Sequence, residues 1–171
     1  IKYDINTELK PGGTFLLNCR WTPQELEREL PPAVKRGLAE KNARLYIIDA
    51  NAIAHRLGLG DHASMVLQAA FFRLADIIPM EEAAGYMKKA AEKTFGKKGE
   101  KVVQMNLAAI DQGAEHVTEV SIPESWKTCA DLPKPAEEEV PDFIRRILRP
   151  CNAQQGDRLP VSAFAGYEDG T

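Results

Sequence analysis

The chain has 171 residues, of which 44% are hydrophobic and 27% charged, and its formal net charge is −3. This length and composition predict a globular domain with a core of ordinary size. The basic residues are spread along the sequence, which argues against nucleic acid as a partner. No apolar run approaches the roughly 20 residues that cross a bilayer, so we expect no membrane span.

The ends of the chain and its cysteines indicate its context. The sequence begins at Ile1 without an initiator Met or a signal peptide, and it ends in a turn-like Gly170-Thr171. We therefore expect a piece of a longer polypeptide. The spacing of Cys19, Cys129 and Cys151 is too wide for a disulfide framework or a closed zinc site. Three reduced thiols and a cytoplasmic location are expected.

The first part of the chain predicts a strand, two short helices and a second strand. Residues 14–19 form an apolar run after a Pro-Gly-Gly turn, which is typical of a buried strand. Thr22 and Glu25 form a capping box that opens a helix, and Pro31 interrupts that helix before a second one. Residues 44–49 form the second strand, in which the apolar residues 45–48 are consecutive, and this indicates a strand covered on both faces in a parallel sheet.

The remainder predicts helices, and then a change of composition. We expect helices at residues 52–57, 64–78, 80–95 and 100–116 and an extended segment at 117–122. The helix at 64–78 is apolar nearly all round and is expected to be central. The fold class is thus α/β: three layers (α/β/α), with a small, mainly parallel sheet and a helix-rich second half. Residues 1–122 form this domain, and residues 123–171 form a Pro/Glu-rich mobile linker, a short helix at 143–148 and a tail.

The strand ends supply the candidate binding residues. In open α/β sheets, ligands bind beyond the carboxyl ends of parallel strands, where this sequence places Asn18, Arg20 and Asn51. Arg20 beside Trp21 suits a phosphate and a stacked base. The alternative is that Trp21 is a hydrophobic staple before the Thr22 cap and that Arg20 pairs locally.

Other candidates have plainer interpretations. The Gly-rich loop at residues 58–64 opens a helix and could bind phosphate. It follows a helix instead of a strand, however, so Asp61 and Ser64 are better explained as turn and N-cap residues. Asn106 lies on a buried helix face and predicts a structural hydrogen bond. No metal site and no catalytic residue is predicted; three histidines are interpreted as surface or capping residues (His55, His62, His116).

Four segments, in order along nearly the whole chain, resemble the pyruvate:ferredoxin (or flavodoxin) oxidoreductases, which are multidomain 2-oxoacid enzymes. Within that family the region is similar to the γ subunit of the split enzymes. The segments are residues 12–18 with Trp21, residues 58–60 with 68–75, residues 94–106, and residues 159–164 with 169–171.

The resemblance implies an enzyme that converts pyruvate and coenzyme A to acetyl-CoA and carbon dioxide. Electrons pass through thiamine diphosphate with Mg, and through 4Fe-4S clusters, to ferredoxin or flavodoxin. It implies that these cofactors and the docking of the acceptor belong to other domains of a homodimeric polypeptide. This chain then binds no cofactor itself.

The resemblance also associates this region with coenzyme A binding and with domain packing, so Asn18, Arg20 and Asn51 are the expected coenzyme A contacts. The resemblance implies that a first strand and a Gly-rich loop bearing Asn and Lys precede the segment that matches Ile1, that this loop is the expected phosphate contact, and that both are missing from this chain. The alternative is a purely structural packing or dimerisation module without a ligand site. A third option is a stand-alone nucleotide-binding protein.

Overall fold

A three-stranded sheet lies at the centre of the larger of two compact units, Leu9–Cys129. The computed structural model describes residues 8–130 and 140–167. β2 pairs with β1 in parallel and with β3 in antiparallel orientation, so the predicted extended segment is confirmed and the sheet is mixed. Within the described ranges, the outer edge of β1 has no strand partner. The strands are β1 (Thr14–Asn18), β2 (Arg44–Ile48) and β3 (Thr118–Val120).

The turn that leads into β1 requires glycine. Gly12 has φ +69°, a left-handed conformation that residues with a Cβ rarely adopt. In this conformation its N–H donates to the carbonyl of Lys41 at 2.7 Å. The turn therefore ties the start of β1 to the connection that leads into β2.

Two short helices, α1 (Pro23–Glu29) and α2 (Pro32–Glu40), connect β1 to β2. The predicted capping box is confirmed: the Glu25 N–H donates to Thr22 Oγ1 at 3.3 Å, and the Thr22 N–H donates to Glu25 Oε2 at 2.8 Å. The predicted break at Pro31 is also confirmed, since α2 begins at the next residue. Local sequence signals thus determine both helix starts.

Four helices follow β2, as predicted. The second of them, however, ends three residues earlier than predicted. Asp76 stands after its last residue with φ +48°, a left-handed conformation that terminates a helix. The bounds are α3 (Ala50–Arg56), α4 (Ser64–Ala75), α5 (Met80–Phe95) and α6 (Glu100–Glu115).

One face of the sheet packs against α3, α4 and α6. Leu16 and Ile48 belong to a core that includes Ile53, Val66 and Ala109. Because side chains alternate along a strand, Leu45 and Ile47 of β2 lie on the other face, and both are buried. The sequence pattern of β2, apolar on both faces, is explained by this arrangement.

Helices α4 and α6 approach each other closely at Gly113. A Cβ on Gly113 would lie 2.3 Å from the carbonyl oxygen of Val66, well inside contact distance. The expectation that α4 is central holds for Val66, Ala69 and Ala70, which are fully buried. It does not hold for Phe71, which is 54% exposed because no described element covers that side of the helix.

The segment after β3 folds back onto α1 and α2 through Trp126. This residue lies in a 3₁₀ turn, Glu124–Thr128, and is 2% exposed. Its Nε1 donates to Glu27 Oε2, and Lys35 Nζ lies 5.8 Å from the ring centroid. Lys35 is itself buried and donates to the Glu27 carbonyl at 2.5 Å. The larger unit therefore continues to Cys129, whereas the predicted division at residue 122 stays a prediction.

The smaller unit is described over residues 140–167. The predicted helix is confirmed: Ile144–Leu148 forms one turn of π-helix, which continues into the short α-helix α7 (Arg149–Asn152). The predicted tail after it is wrong in part, since Gly156–Arg158 and Val161–Phe164 form 3₁₀ turns. The acidic run at 137–139 and two prolines of the predicted linker (Pro133, Pro135) lie outside the described residues.

The fold class predicted from the sequence, α/β with a small sheet and a helix-rich second half, is confirmed. Among the described helices, none is both long and apolar enough to cross a bilayer.

Candidate functional site

Two of the three predicted binding residues meet at the carboxyl ends of the parallel strands. Asn18 Nδ2 donates to Asn51 Oδ1 at 3.1 Å, and Asn18 Oδ1 accepts the N–H of Ala50 at 3.0 Å. The side chain of Asn18 therefore joins the end of β1 to the start of α3. Both asparagines are exposed. The amide of Asn18 is occupied by these contacts, whereas Nδ2 of Asn51 stays available to a ligand.

The neighbouring polar groups at this edge are largely used by the fold. Asp49 caps α3 by accepting the N–H of Ala52 at 2.8 Å. Burial raises the pKa of the Cys19 thiol, and the Asp49 carboxylate adds to that rise against the opposing contact with Trp21. A thiol with a raised pKa is mostly protonated at neutral pH, so Cys19 is a poor nucleophile.

Arg20 lies one residue beyond Cys19 and is exposed. Within the described ranges it forms no ion pair. The pKa of Glu25 is lowered, first by hydrogen bonds from the Thr22 N–H and hydroxyl, and also by the charges of Arg28 and Arg20. The guanidinium of Arg20 therefore contributes to the electrostatic stabilisation of the Glu25 carboxylate but forms no ion pair with it, so it remains available to an anion. Trp21, beside it, is only half-buried.

The Gly-rich loop after α3 is a turn, as preferred from the sequence. Gly58 and Gly60 both have positive φ, and the Asp61 Oδ1 atom lies at hydrogen-bond distance, 3.0 Å, from His55 Nε2. The predicted N-cap at Ser64 is wrong, since Ala63 occupies that position and provides no side-chain bond. Asn106 is buried and donates to the Val102 carbonyl at 2.8 Å, which confirms its structural role.

Surface cavities occur elsewhere on the larger unit. A groove of about 500 Å³ runs between α4 and α5 and is lined by Met65, Gln68, Tyr86 and Phe95 among others. A second, of about 440 Å³, lies near the end of α4 and carries charges of both signs. The cavities described here do not include Asn18, Arg20 or Asn51 in their linings. The candidate site is therefore an exposed edge of the sheet.

Several lysines lie where α5 turns into α6; from the sequence, Lys89 and Lys93 were assigned only a favourable interaction with the dipole of the helix at 80–95, and none of the group was assigned a binding role. They are exposed and surround the 3₁₀ turn Gly96–Lys98. Over residues 8–130 and 140–167, none of them forms an ion pair. The run KKAAEKTFGKKGEK was the available signal, and its meaning depends on the helix hairpin that brings both ends together. We call this group the basic tip: Lys89, Lys93, Lys97, Lys98 and Lys101.

The cysteines of the chain do not suffice for a four-iron cluster, and the donor atoms of the described residues do not form a metal site. A four-iron cluster is held by four cysteine thiolates, and the chain contains three cysteines, all of them free thiols. Among the described residues, no three His, Cys, Asp or Glu side chains are placed to share a metal ion. No step of chemistry is therefore assigned to such a group on this chain.

Comparison with protein families identifies the class. Residues 3–116 match the model of the pyruvate ferredoxin/flavodoxin oxidoreductase family. Residues 130–171 match a second model, EKR, described as a domain of unknown function. The chain belongs to the pyruvate ferredoxin/flavodoxin oxidoreductase family, and the resemblance found in the sequence is confirmed.

Individual relatives agree with this assignment. The chain is 51% identical over 170 residues to a pyruvate-flavodoxin oxidoreductase of Klebsiella pneumoniae and 49% identical over 170 residues to that of Enterobacter agglomerans. In both cases the match covers 99% of the chain. It is also 44% identical over 163 residues, 95% of the chain, to a pyruvate:ferredoxin oxidoreductase of Moorella thermoacetica. The chain spans only 14% of the length of each of these relatives.

Proposed function

We propose that this chain is part of an enzyme that oxidises pyruvate with coenzyme A to acetyl-CoA and carbon dioxide and reduces ferredoxin or flavodoxin. Within that enzyme, it helps to hold coenzyme A. The names of the relatives support the reaction, since they specify pyruvate and either flavodoxin or ferredoxin. The three free thiols support a reducing compartment such as the cytoplasm.

The binding role rests on the Asn18–Asn51 pair, together with Arg20, which follows Asn18 by two residues in the chain. Asn18 uses both ends of its amide to fix Asn51 and the first turn of α3. This leaves Asn51 Nδ2 and the Arg20 guanidinium as available donors at the edge where α/β sheets bind ligands. Hydrogen-bond donors and a cation are suited to the phosphates of coenzyme A. Asn18 is a positioning residue in this proposal, and the other two residues contact the ligand.

The chain contributes binding and packing, while the reacting groups come from the rest of the polypeptide. Thiamine diphosphate with Mg would supply carbanion chemistry at pyruvate, and clusters would carry the electrons. Three cysteines do not fit a four-iron cluster, and the family resemblance assigns thiamine diphosphate to other domains, so the proposal places both groups elsewhere on the homodimeric enzyme. No residue of this chain is assigned a catalytic role.

The test separates Arg20 and Asn51 from the general charge of the surface. We would prepare Arg20→Gln and Asn51→Ala in the full-length enzyme, with Arg56→Gln as the matched control, because Arg56 is also exposed and unpaired among the described residues. Loss of a hydrogen bond to a charged ligand costs about 1.5–3 kcal/mol. The KM for coenzyme A should therefore rise roughly ten-fold or more in both test variants, with the KM for pyruvate unchanged.

An unchanged KM for coenzyme A in both well-folded variants would reject the binding role. Calorimetric titration of the chain with coenzyme A gives an independent reading, since heat at micromolar ligand requires a site on the chain itself. Binding by the chain that Arg20→Gln does not weaken would place the site away from the strand ends.

A second candidate function is a purely structural module that packs domains or subunits against each other. The exposed side chain of Phe71 favours it, because this ring borders a groove of about 200 Å³ formed with Leu16 and Leu74. Large exposed apolar side chains often mark contacts with other protein surfaces. Phe71→Ser in the full-length enzyme should then dissociate subunits or expose protease sites without changing the KM for coenzyme A. Intact assembly and unchanged proteolysis would exclude this role for Phe71.

A further inference from the structure

The basic tip is a local concentration of positive charge on an acidic protein. Residues 89–101 contain five lysines and two glutamates and so carry a net charge of +3, whereas the whole chain carries −3. Like charges at this spacing repel one another, and the Debye length of about 8 Å at physiological salt does not remove the repulsion between neighbours. The tip is therefore a surface whose energy falls when an anionic partner arrives.

Among the described residues these lysines form no ion pair, although another lysine of α5 does. Lys88, the neighbour of the tip on α5, contacts Asp111 of α6 at 2.7 Å. Lys98 lies over the ring of Phe95 at 5.5 Å from the centroid. Glu100, the acidic residue inside the turn, accepts a hydrogen bond from Gln104 at 2.6 Å. The pairing of Lys88 thus makes the unpaired state of the tip a distinct feature of this surface.

The helices that carry the basic tip are held in place by a buried hydrophobic cluster. α5 and α6 pack against each other and against α4 through a buried cluster that includes Ala69, Met87, Ala91 and Ile110. Gly99 joins the turn to α6 with φ +98°, a conformation that favours glycine. The exposed lysines are thus carried by packed helices and the turn between them, as a preformed docking surface requires.

We propose that the basic tip is a docking surface for a small acidic protein, the electron acceptor of the enzyme. This inference rests on the proposed function, and it adds to the docking on other domains that the family resemblance implies. Complementary charge raises the rate of encounter and orients the partner. The tip steers and holds the acceptor, and no electron passes through this chain.

An acidic protein fits the tip better than a nucleic acid does. Five lysines within 13 residues match a patch of carboxylates on a folded surface. A nucleic acid is a long polyanion that extends beyond such a patch and meets the net negative charge of the rest of the chain. The tip also offers no exposed aromatic platform on which bases stack, since its one ring, Phe95, is half-buried under Lys98.

The test uses the full-length enzyme with flavodoxin as the acceptor. Lys97→Gln with Lys98→Gln removes two charges from the turn, and Lys89→Gln with Lys93→Gln removes two from α5. Lys10→Gln with Arg158→Gln is the control, because these exposed residues carry the same charge and lie outside the tip. At low salt the KM for flavodoxin should rise roughly 3–10-fold in both tip variants and stay unchanged in the control.

High salt is the second measurement. At 1 M salt the Debye length is about 3 Å, so the KM values of the tip variants and the parent enzyme should converge. An equal KM for flavodoxin in the parent and both tip variants at low salt would overturn the proposal. A KM difference that persists at 1 M salt would also overturn it, since the effect would then be structural.

Two more outcomes assign the tip to a different ligand and so overturn the proposal. A raised KM for coenzyme A would make the tip a substrate-phosphate site. Binding of a labelled single-stranded oligonucleotide that is lost in the tip variants would make it a nucleic-acid surface. Pyruvate-dependent reduction of methyl viologen separates this inference from the proposed function: failure of the parent enzyme rejects the function, whereas normal reduction with an unmoved flavodoxin KM rejects only the docking.

Discussion

The contact between α4 and α6 at Gly113 makes a sharp prediction about stability. A methyl group on Gly113 would lie 2.3 Å from the carbonyl oxygen of Val66 and 2.9 Å from its Cα. Ordinary contact begins at 3.4 Å, so the helices must separate by roughly 1 Å to accept Gly113→Ala. The atoms that block the methyl group are backbone atoms, which cannot turn away as a side chain would.

The expected magnitude follows from two opposing effects. Overpacking of a core costs about 1–3 kcal/mol, and the upper end applies here because backbone must move. Replacing glycine by alanine within a helix contributes about 1 kcal/mol in the other direction. The free energy of unfolding of Gly113→Ala should therefore fall by about 2 kcal/mol.

Gly85→Ala is the matched control for this prediction. Gly85 lies inside α5, and a Cβ there would meet no atom within 4 Å. Its free energy of unfolding should rise by about 0.5–1 kcal/mol, so the two variants should differ by roughly 3 kcal/mol. Urea denaturation followed by far-UV circular dichroism measures both. A Gly113→Ala protein as stable as Gly85→Ala would refute the close approach of the two helices.

Three further predictions concern the cap, the tryptophan turn and the thiols. Because the pKa of Glu25 is lowered in the fold, its carboxylate stabilises the protein above pH 4.5, and this stabilisation is lost as the pH falls through the folded pKa. When the free energy of unfolding is measured against pH in acid, Glu25→Gln should remove that loss. Thr22→Ala should lower the free energy of unfolding by about 1 kcal/mol, since it removes the N-cap. Trp126→Ala should cost about 3–5 kcal/mol in urea denaturation, because the ring is fully buried; a change below 1 kcal/mol would contradict the packing of the turn. Iodoacetamide should modify exposed Cys151 well before Cys19 as followed by peptide mass, since burial raises the pKa of the Cys19 thiol.

Features that depend on neighbouring residues were predictable from the sequence. The capping box at Thr22 and Glu25, the break at Pro31 and the doubly apolar β2 each follow from a few consecutive side chains. Asn106 was also predictable, since a polar residue on an apolar helix face requires a local hydrogen-bond acceptor, and the Val102 carbonyl one turn earlier supplies it.

Features that depend on contacts between residues far apart in the sequence were not predictable from it. The antiparallel pairing of β3 is decided by how α6 returns the chain to β2, which no local pattern specifies. The contact of Trp126 with Glu27 joins residues 99 positions apart. The weak alternation of residues 117–122 indicated extended chain, but it carried no information about direction.

The candidate site was predictable in part for the same reason. The rule about strand ends brought Asn18 and Asn51 together correctly, because it depends on parallel topology alone. It did not reveal that the side-chain oxygen of Asn18 accepts a hydrogen bond from the first residue of α3, Ala50. The basic tip was missed because the basic residues were judged over the whole chain, whereas five lysines lie within residues 89–101, in the turn between α5 and α6 and in the adjoining parts of both helices.

Among the described residues, one edge of β1 has no strand partner, and this has a practical consequence for handling the protein. Residues Phe15, Leu16 and Leu17 are all partly exposed, and the strand carries no lysine or proline to discourage a second strand from pairing with it. A preparation of this chain by itself should accordingly form intermolecular sheet as its concentration rises, with the amide I band moving to lower wavenumber. Replacing the first residue of the strand, Thr14→Lys, would reduce that tendency without placing a charge against the core that Leu16 contacts, so a single added charge can decide whether this part of the enzyme stays monomeric or aggregates.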